Sequence, residues 1–198
     1  MPSPKALAKI FALAMLVAAA PPATYAAFLY ATDNVHEVVP GTLYRSGQLD
    51  AGELKHLVAA RGIRTVLNLR GAHPGAPWYD RERTAVRDLG VGYVSIGISA
   101  GKVPAMATMV EIADALRDAP APILVHCEGG ADRSGLASAI YELAVAGERA
   151  DEAAEQLAPR FLHFPWLGSR TAAMDRAFAL FAANWTPNSD RPVRNAAN

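Results

Sequence analysis

The stretch Ile123-Leu-Val-His-Cys-Glu-Gly-Gly-Ala-Asp-Arg-Ser-Gly135 decides how this chain reads. Its first four residues, Ile123–His126, form a short apolar run suited to a buried strand. Cys127 follows, then five residues that include Gly129 and Gly130, then Arg133 and Ser134, where a helix is expected to begin. A glycine-bearing turn between strand and helix can direct its backbone N–H groups inward. With the positive end of the helix behind them, those groups make an anion cradle. The same field stabilises an anionic sulfur at Cys127. The planar fork of Arg133 can hold two oxygens of a phosphate. Ser134 can donate a hydrogen bond to the sulfur, and its hydroxyl equally suits a helix N-terminus. The segment therefore reads as an activated nucleophile beside a phosphate cradle, an arrangement for covalent phosphoryl transfer. Glu128, Gly129, Gly130, Ala131, Asp132 and Arg133 are its expected substrate-binding residues.

Working outward, Thr65–Leu69 and Val91–Ile96 are two further apolar runs of strand length, and Leu43–Arg45 reads as an edge strand. Helical stripes alternate with them: Leu54, Leu57 and Val58; Met106, Met109, Val110, Ala113 and Leu116 behind Pro104; Leu136, Ile140 and Leu143; Met174, Ala177, Phe178 and Phe181. Alternating strands and helices predict an α/β fold with a mostly parallel central sheet flanked by helices. Ligands of such sheets bind at the carboxyl ends of the strands, where the Cys127 loop falls. The expected organisation is an N-terminal hydrophobic segment over 1–32, a catalytic domain over 33–185 and a polar, flexible tail over 186–198.

Of 198 residues, 19 are Lys or Arg and 19 are Asp or Glu, so the formal net charge is zero. No basic face for nucleic acid is expected from that balance. With 52% hydrophobic residues the chain is not a disordered acidic tail either. A single cysteine excludes an intramolecular disulfide and a thiolate-clustered zinc site.

The N-terminus carries Lys5 and Lys9, then a run from Ile10 to Thr32 without a charge. As a helix that run is ~35 Å long, enough for a hydrocarbon core of about 30 Å. Pro21 and Pro22 are expected to interrupt it, which leaves a second reading of Ile10–Ala20 as the core of a signal peptide, cleaved near Thr24-Tyr25-Ala26. Length favours an uncleaved anchor. Lysines before the run and Asp33 and Glu37 after it place the bulk of the chain outside the cytoplasm, in a bacterium the periplasm.

The loop resembles the signature of the cysteine-dependent protein tyrosine and dual-specificity phosphatases: His-Cys, five residues, Arg, then Ser or Thr. His126, Cys127, Arg133 and Ser134 fit it throughout. Gly41-Thr-Leu-Tyr-Arg-Ser-Gly-Gln48 and Arg64-Thr-Val-Leu-Asn-Leu-Arg70 look like the opening segments of bacterial dual-specificity-like phosphatases, and the resemblance covers about residues 38–183. It implies a cysteinyl-phosphate intermediate on Cys127, with no metal and no cofactor, and a His126 that helps hold the sulfur as thiolate. It also implies a general-acid Asp on the loop after Val91–Ile96. That loop, Gly97-Ile-Ser-Ala-Gly-Lys-Val-Pro104, holds no Asp or Glu. Asp132 is the candidate substitute, and Glu128 a weaker one. The missing acid leaves a phosphate-binding pseudophosphatase as the alternative to an enzyme; a rhodanese-like sulfur transferase is more distant. Glu128 and Asp132 should repel a polyphosphorylated headgroup. The expected partner is therefore a phosphorylated protein or a membrane-associated phosphomonoester. Arg45 and Arg70 could line the mouth of the site or lie on the surface. His73–Tyr79 reads as a turn-rich loop, and His163–Trp166 as a recognition segment or a core cap.

Overall fold

Side-chain alternation along three buried strands sorts the core into two layers. The computed structural model describes residues 3–186. Five strands form one sheet: β1 (His36–Val39), β2 (Leu43–Ser46), β3 (Thr65–Asn68), β4 (Gly92–Ser95) and β5 (Ile123–His126), in the spatial order β1-β2-β5-β3-β4. The β2–β5, β5–β3 and β3–β4 pairs are parallel, and β1 joins β2 antiparallel. Leu43, Leu67, Ile123 and Val125 face one layer, packed by α4 (Met106–Asp118), α5 (Asp132–Tyr141) and α7 (Ala172–Asn184). Tyr44, Val66 and Leu124, one residue out of phase, face the other, packed by α2 (Ala51–Arg61) and α3 (Pro77–Asp88). A five-residue π-helical turn, Glu142–Ala146, and the short α6 (Ala150–Ala153) link α5 to the final segment.

The sheet is the mostly parallel α/β layer the sequence predicts. Two local expectations are corrected. Leu43–Ser46 is not an edge strand: all four residues are buried and β1 covers its outer side. The edge is His36–Val39, a half-exposed strand too short to show an alternation. Pro77, Trp78 and Tyr79, read as loop, form the first turn of α3, with Pro77 opening the helix.

Helix α5 is buried on every face from Ser134 to Tyr141, which is why it is built from small and apolar residues throughout. Together with the buried β5 it holds the segment between them, 127–131, at both ends.

The N-terminal helix α1 (Pro4–Ala31) is continuous, and Pro21 and Pro22 lie inside it rather than interrupting it. They remove the donors that would meet the carbonyls of Val17 and Ala18. Lys9–Ala31 is long and apolar enough to cross a membrane. The helix meets the domain at its C-terminal end. Leu29 is buried there, and the Tyr25 hydroxyl donates to the Arg160 carbonyl at 2.9 Å. The tail expected over 186–198 lies, from residue 187, outside the described residues.

Candidate active site

Four successive carbonyls of the 127–133 loop are held from outside. The amide of Gln48 donates to Glu128 O at 3.0 Å, and Asn34 Nδ2 to Gly129 O at 3.2 Å. Arg45 Nη2 donates to Gly130 O at 2.9 Å and to Ala131 O at 2.7 Å. With their carbonyls turned outward, the peptide units present their N–H groups to the inside. Among the described residues the amides of Glu128 to Arg133 meet no protein acceptor. They sit at the N-terminus of α5, where N–H groups are unpaired by helix geometry and the helix dipole is positive. Gly130 is required by its backbone: φ is +70°, and a Cβ there would lie 2.6 Å from the Gly47 amide nitrogen. Gly129 has open space around it.

Arg45 is the largest fully buried side chain of the domain, at 0% exposure. Strand alternation places it on the α5 face beneath the loop, not at the mouth that the sequence suggested. Its Nη1 donates to the backbone carbonyl and side-chain oxygen of Gln156 at 2.7 and 3.0 Å, and its guanidinium lies 4.3 Å over the Phe161 ring. Burial pushes its pKa down to about 10, opposed by the negative charges of Cys127, Glu142 and Asp132. Gln156 is held in turn by Glu142, whose own pKa burial raises to about 7.

Cys127 lies at the base of the loop, 2% exposed, with Sγ 3.5 Å from the Ser134 hydroxyl. Ser134 is in the first turn of α5 rather than at its cap; the capping position is Ala131. Arg133 reaches back over the loop. Its Nη1 lies 3.5 Å from the Ile98 carbonyl, its Nη2 lies 3.6 Å from Glu128, and its buried Nε has no protein partner among the described residues. Such loosely engaged donors suit a guanidinium that binds an anion. Glu128 is 72% exposed and also faces Arg70 at 3.9 Å. Arg70 does stand at the mouth: it is stacked 3.6 Å over Trp78 and donates to Gln48 at 2.9 Å.

His126 points to the opposite face of the sheet from Arg45. Its Nε2 lies 3.2 Å from the buried Glu82 carboxylate of α3, and its Nδ1 3.4 Å from the Cys127 carbonyl. Glu82 also accepts from the Tyr93 hydroxyl at 2.6 Å and from Gln48 Nε2. Burial alone would raise the Glu82 pKa; the bonds from His126, Tyr93 and Gln48 outweigh it and lower the value. Burial and the bond to Glu82 raise Tyr93. The sequence reading missed Glu82, although its spacing from Val86 marks the two buried positions on the face of α3.

Asp132 opens α5 and accepts from His163 Nδ1 at 2.7 Å; His163 Nε2 reaches Asp175 at 3.0 Å. His163 is wholly buried, while the Asp132 side chain is about one-quarter exposed. Burial works to lower the His163 pKa, but the bonds to Asp132 and Asp175 prevail and raise it. The acid-less loop after β4 touches Arg133 through Ile98 and brings no carboxylate with it.

The family model described as PTP-NADK, "DSP-PTPase phosphatase fused to NAD+ Kinase", matches residues 28–164. Among solved structures the chain is similar to TpbA of P. aeruginosa, at a TM-score of 0.57 and 23% identity over 78% of this chain and 93% of that one. It is similar to the core catalytic domain of the PP-IP phosphatase SIW14 of S. cerevisiae, at 0.57 and 17% over 76% and 91%. It is also similar to PTPMT1, at 0.57 and 17% over 75% and 96%. At these identities the structural likeness is one of fold. No curated protein sequence matches significantly.

Two outcomes follow from this geometry. Arg45→Met keeps the apolar stem and removes the donors of Gly130 and Ala131. Ala131 O keeps the Gly135 amide, but Gly130 O is left without a donor, at a cost of about 1–3 kcal/mol. Urea unfolding should show that loss, and binding of the phosphate analogue vanadate should fall with it; unchanged vanadate affinity would contradict the clamp. The second outcome concerns His163, whose pKa in the fold lies above its ordinary 6.5. The native state then holds the proton more tightly than the unfolded chain. The stability from the Asp132–His163–Asp175 contact is complete below pH 6.5 and is lost as pH rises through the folded value. Unfolding measured across that window should lose this slope in His163→Gln.

Proposed function

The chain belongs to the cysteine-dependent dual-specificity phosphatase superfamily, and from that premise we propose that it hydrolyses a phosphomonoester through a cysteinyl-phosphate on Cys127. The observation that carries this reading is the outward clamping of the carbonyls of residues 128–131, which leaves the loop amides and Arg133 to receive the phosphoryl oxygens around the Cys127 sulfur. The sulfur attacks phosphorus, the P–O bond to the leaving group breaks, and the leaving oxygen takes a proton. Water then attacks the phosphorus and gives up a proton as the S–P bond breaks, freeing the thiolate and inorganic phosphate. The loop amides and Arg133 meet the charge that builds on the equatorial oxygens. Ser134, 3.5 Å from the sulfur, stabilises it as it leaves in the second step. His126 fixes the start of the loop through the Cys127 carbonyl and Glu82.

We assign the proton transfers to Asp132. It is the carboxylate next to Arg133 in the chain, it is partly exposed, and the buried His163 can hold a proton one hydrogen bond away from it. Glu128, at the rim, pairs with Arg70 and Arg133 and tempers the positive charge of the mouth. That acidic rim favours a monophosphate over a polyphosphorylated headgroup. TpbA has been solved with phosphotyrosine and PTPMT1 with PI(5)P. For this chain the substrate class is a phosphorylated protein or a membrane-associated phosphomonoester. Helix α1 anchors the enzyme in the bacterial inner membrane, with the catalytic domain on the periplasmic side by the lysines that precede it.

The loop after β4 without a carboxylate favours one other reading, a pseudophosphatase that holds a phosphorylated partner without turnover. Phosphate release separates the two. The full chain in detergent is expected to hydrolyse an aryl phosphate, a phosphotyrosine peptide and an alkyl phosphate, and Cys127→Ser to lose all three. Asp132→Asn should lower alkyl phosphate turnover by about 10²–10⁴-fold and spare the aryl phosphate, whose leaving group needs little protonation. Binding of vanadate with no release from the aryl phosphate would replace the enzyme by the binding module.

A further inference from the structure

The loop between the Pro159–Phe161 turn and α7 exposes what a soluble domain buries. Phe164, Trp166 and Leu167 are 51%, 58% and 106% exposed. The Trp166 carbonyl accepts from the Ser169 amide at 3.0 Å, closing a turn with Leu167 at φ 56° and Gly168 at φ 78° at its tip. A leucine rarely adopts that backbone conformation, which costs of order 1–2 kcal/mol. Here the conformation drives an apolar side chain into the open, where it adds nothing to the core.

The base of this loop is tied to the end of α1. The Tyr25 hydroxyl donates to Arg160 O at 2.9 Å, and Asn34 Nδ2 donates to Phe161 O at 2.9 Å. Tyr25 stands roughly 9 Å inside the end of the apolar span at Ala31, at about 1.5 Å per residue. A bilayer has ~5–8 Å of interfacial region on each side of its hydrocarbon core. If α1 crosses a bilayer, the roughly 24 Å from Lys9 to Tyr25 falls short of the ~30 Å hydrocarbon core, so Tyr25, and the Arg160 carbonyl bonded to it, lie no further out than the edge of that core. Tyr25, Phe28 and Tyr30 are exposed at this end of α1. Phe164 and Trp166 add two more exposed aromatics on the loop tied to this end of the helix, and such side chains are the composition of a membrane interface.

We propose that the loop Phe164–Gly168 inserts into the interfacial layer of the bilayer that α1 crosses, so that helix and loop seat the domain on the lipid at two points. The inference rests on the membrane reading of α1 and goes beyond it. It also places the site. Asn34, which holds Phe161 O, is the same side chain that holds Gly129 O of the phosphate loop. Arg170, at the far end of the inserted loop, packs over Gly101 of the loop that touches Arg133. The catalytic loop is thus braced against both membrane contacts and works at the lipid surface.

Cys127 is the chain's one cysteine, so Cys127→Ser frees the thiol chemistry for labelling. The full chain carrying Leu167→Cys in that background, labelled with an environment-sensitive fluorophore, is reconstituted into phosphatidylcholine–phosphatidylglycerol vesicles. A second chain carries Asp88→Cys, at the opposite end of the sheet from the exit of α1. The expected result is a blue shift and quenching by shallow nitroxide-bearing lipids at position 167, with neither at position 88. Phe164→Cys gives the same reading should Leu167→Cys misfold. If the protein floats with the vesicles but position 167 emits as in water, the inserted loop is wrong and the anchor stands. A blue shift without lipid quenching would mean that protein covers the loop, and would overturn the proposal. Failure of the full chain to float with the vesicles would overturn anchor and loop together.

Discussion

A guanidinium buried without exposure beneath a loop of peptide carbonyls is the constraint on which the site depends. Arg45 cannot be solvated where it lies; the donors on its two Nη atoms are met by the protein, while its Nε has no protein partner among the described residues. The acceptors within reach are Gly130 O, Ala131 O and Gln156, and satisfying Arg45 fixes the peptide planes of the loop. Once those carbonyls point outward, the adjoining N–H groups point inward. The anion cradle is the other side of the same peptide units. The charge below the loop and the dipole of α5 also act in the same sense on an anion held above it.

The two-residue period of the strands divides the labour. Arg45 on β2 faces α5 and orders the far end of the loop, while His126 on β5 faces α3 and engages Glu82 at its near end. Tyr93 and Gln48 bring β4 and the end of β2 into the same carboxylate. The loop is thereby referenced to both helical layers, with Cys127 itself packed in the layer of α4, α5 and α7. Asp132 adds a third tie, through His163 to α7.

The 127–133 loop was legible as a unit because its residues are local. His126, Cys127, Gly130, Arg133 and Ser134 are close in sequence, and their spacing states their relation. The parallel sheet was legible in its apolar runs. Arg45 was not: an arginine in a short strand suggests an edge, since full burial of that side chain is rare, and its acceptors lie 85 to 111 residues away in sequence. Glu82 was hidden in the same way. The charge density of α3 conceals the one carboxylate that turns inward, and β4 and β5 supply its partners from a distance. His163 read as one more residue of an aromatic segment, because the aspartates that define it come from the starts of α5 and α7.

If the clamped loop serves covalent chemistry, Cys127 must carry the phosphoryl group for part of each turnover. The most direct measurement is acid quenching of the full chain during hydrolysis of an aryl phosphate, followed by mass analysis of the peptide that contains Cys127. The account predicts a phosphoryl adduct on Cys127 that forms within the first turnover and decays when substrate is exhausted. Continued release of phosphate with no adduct on Cys127 at any quench time would contradict it.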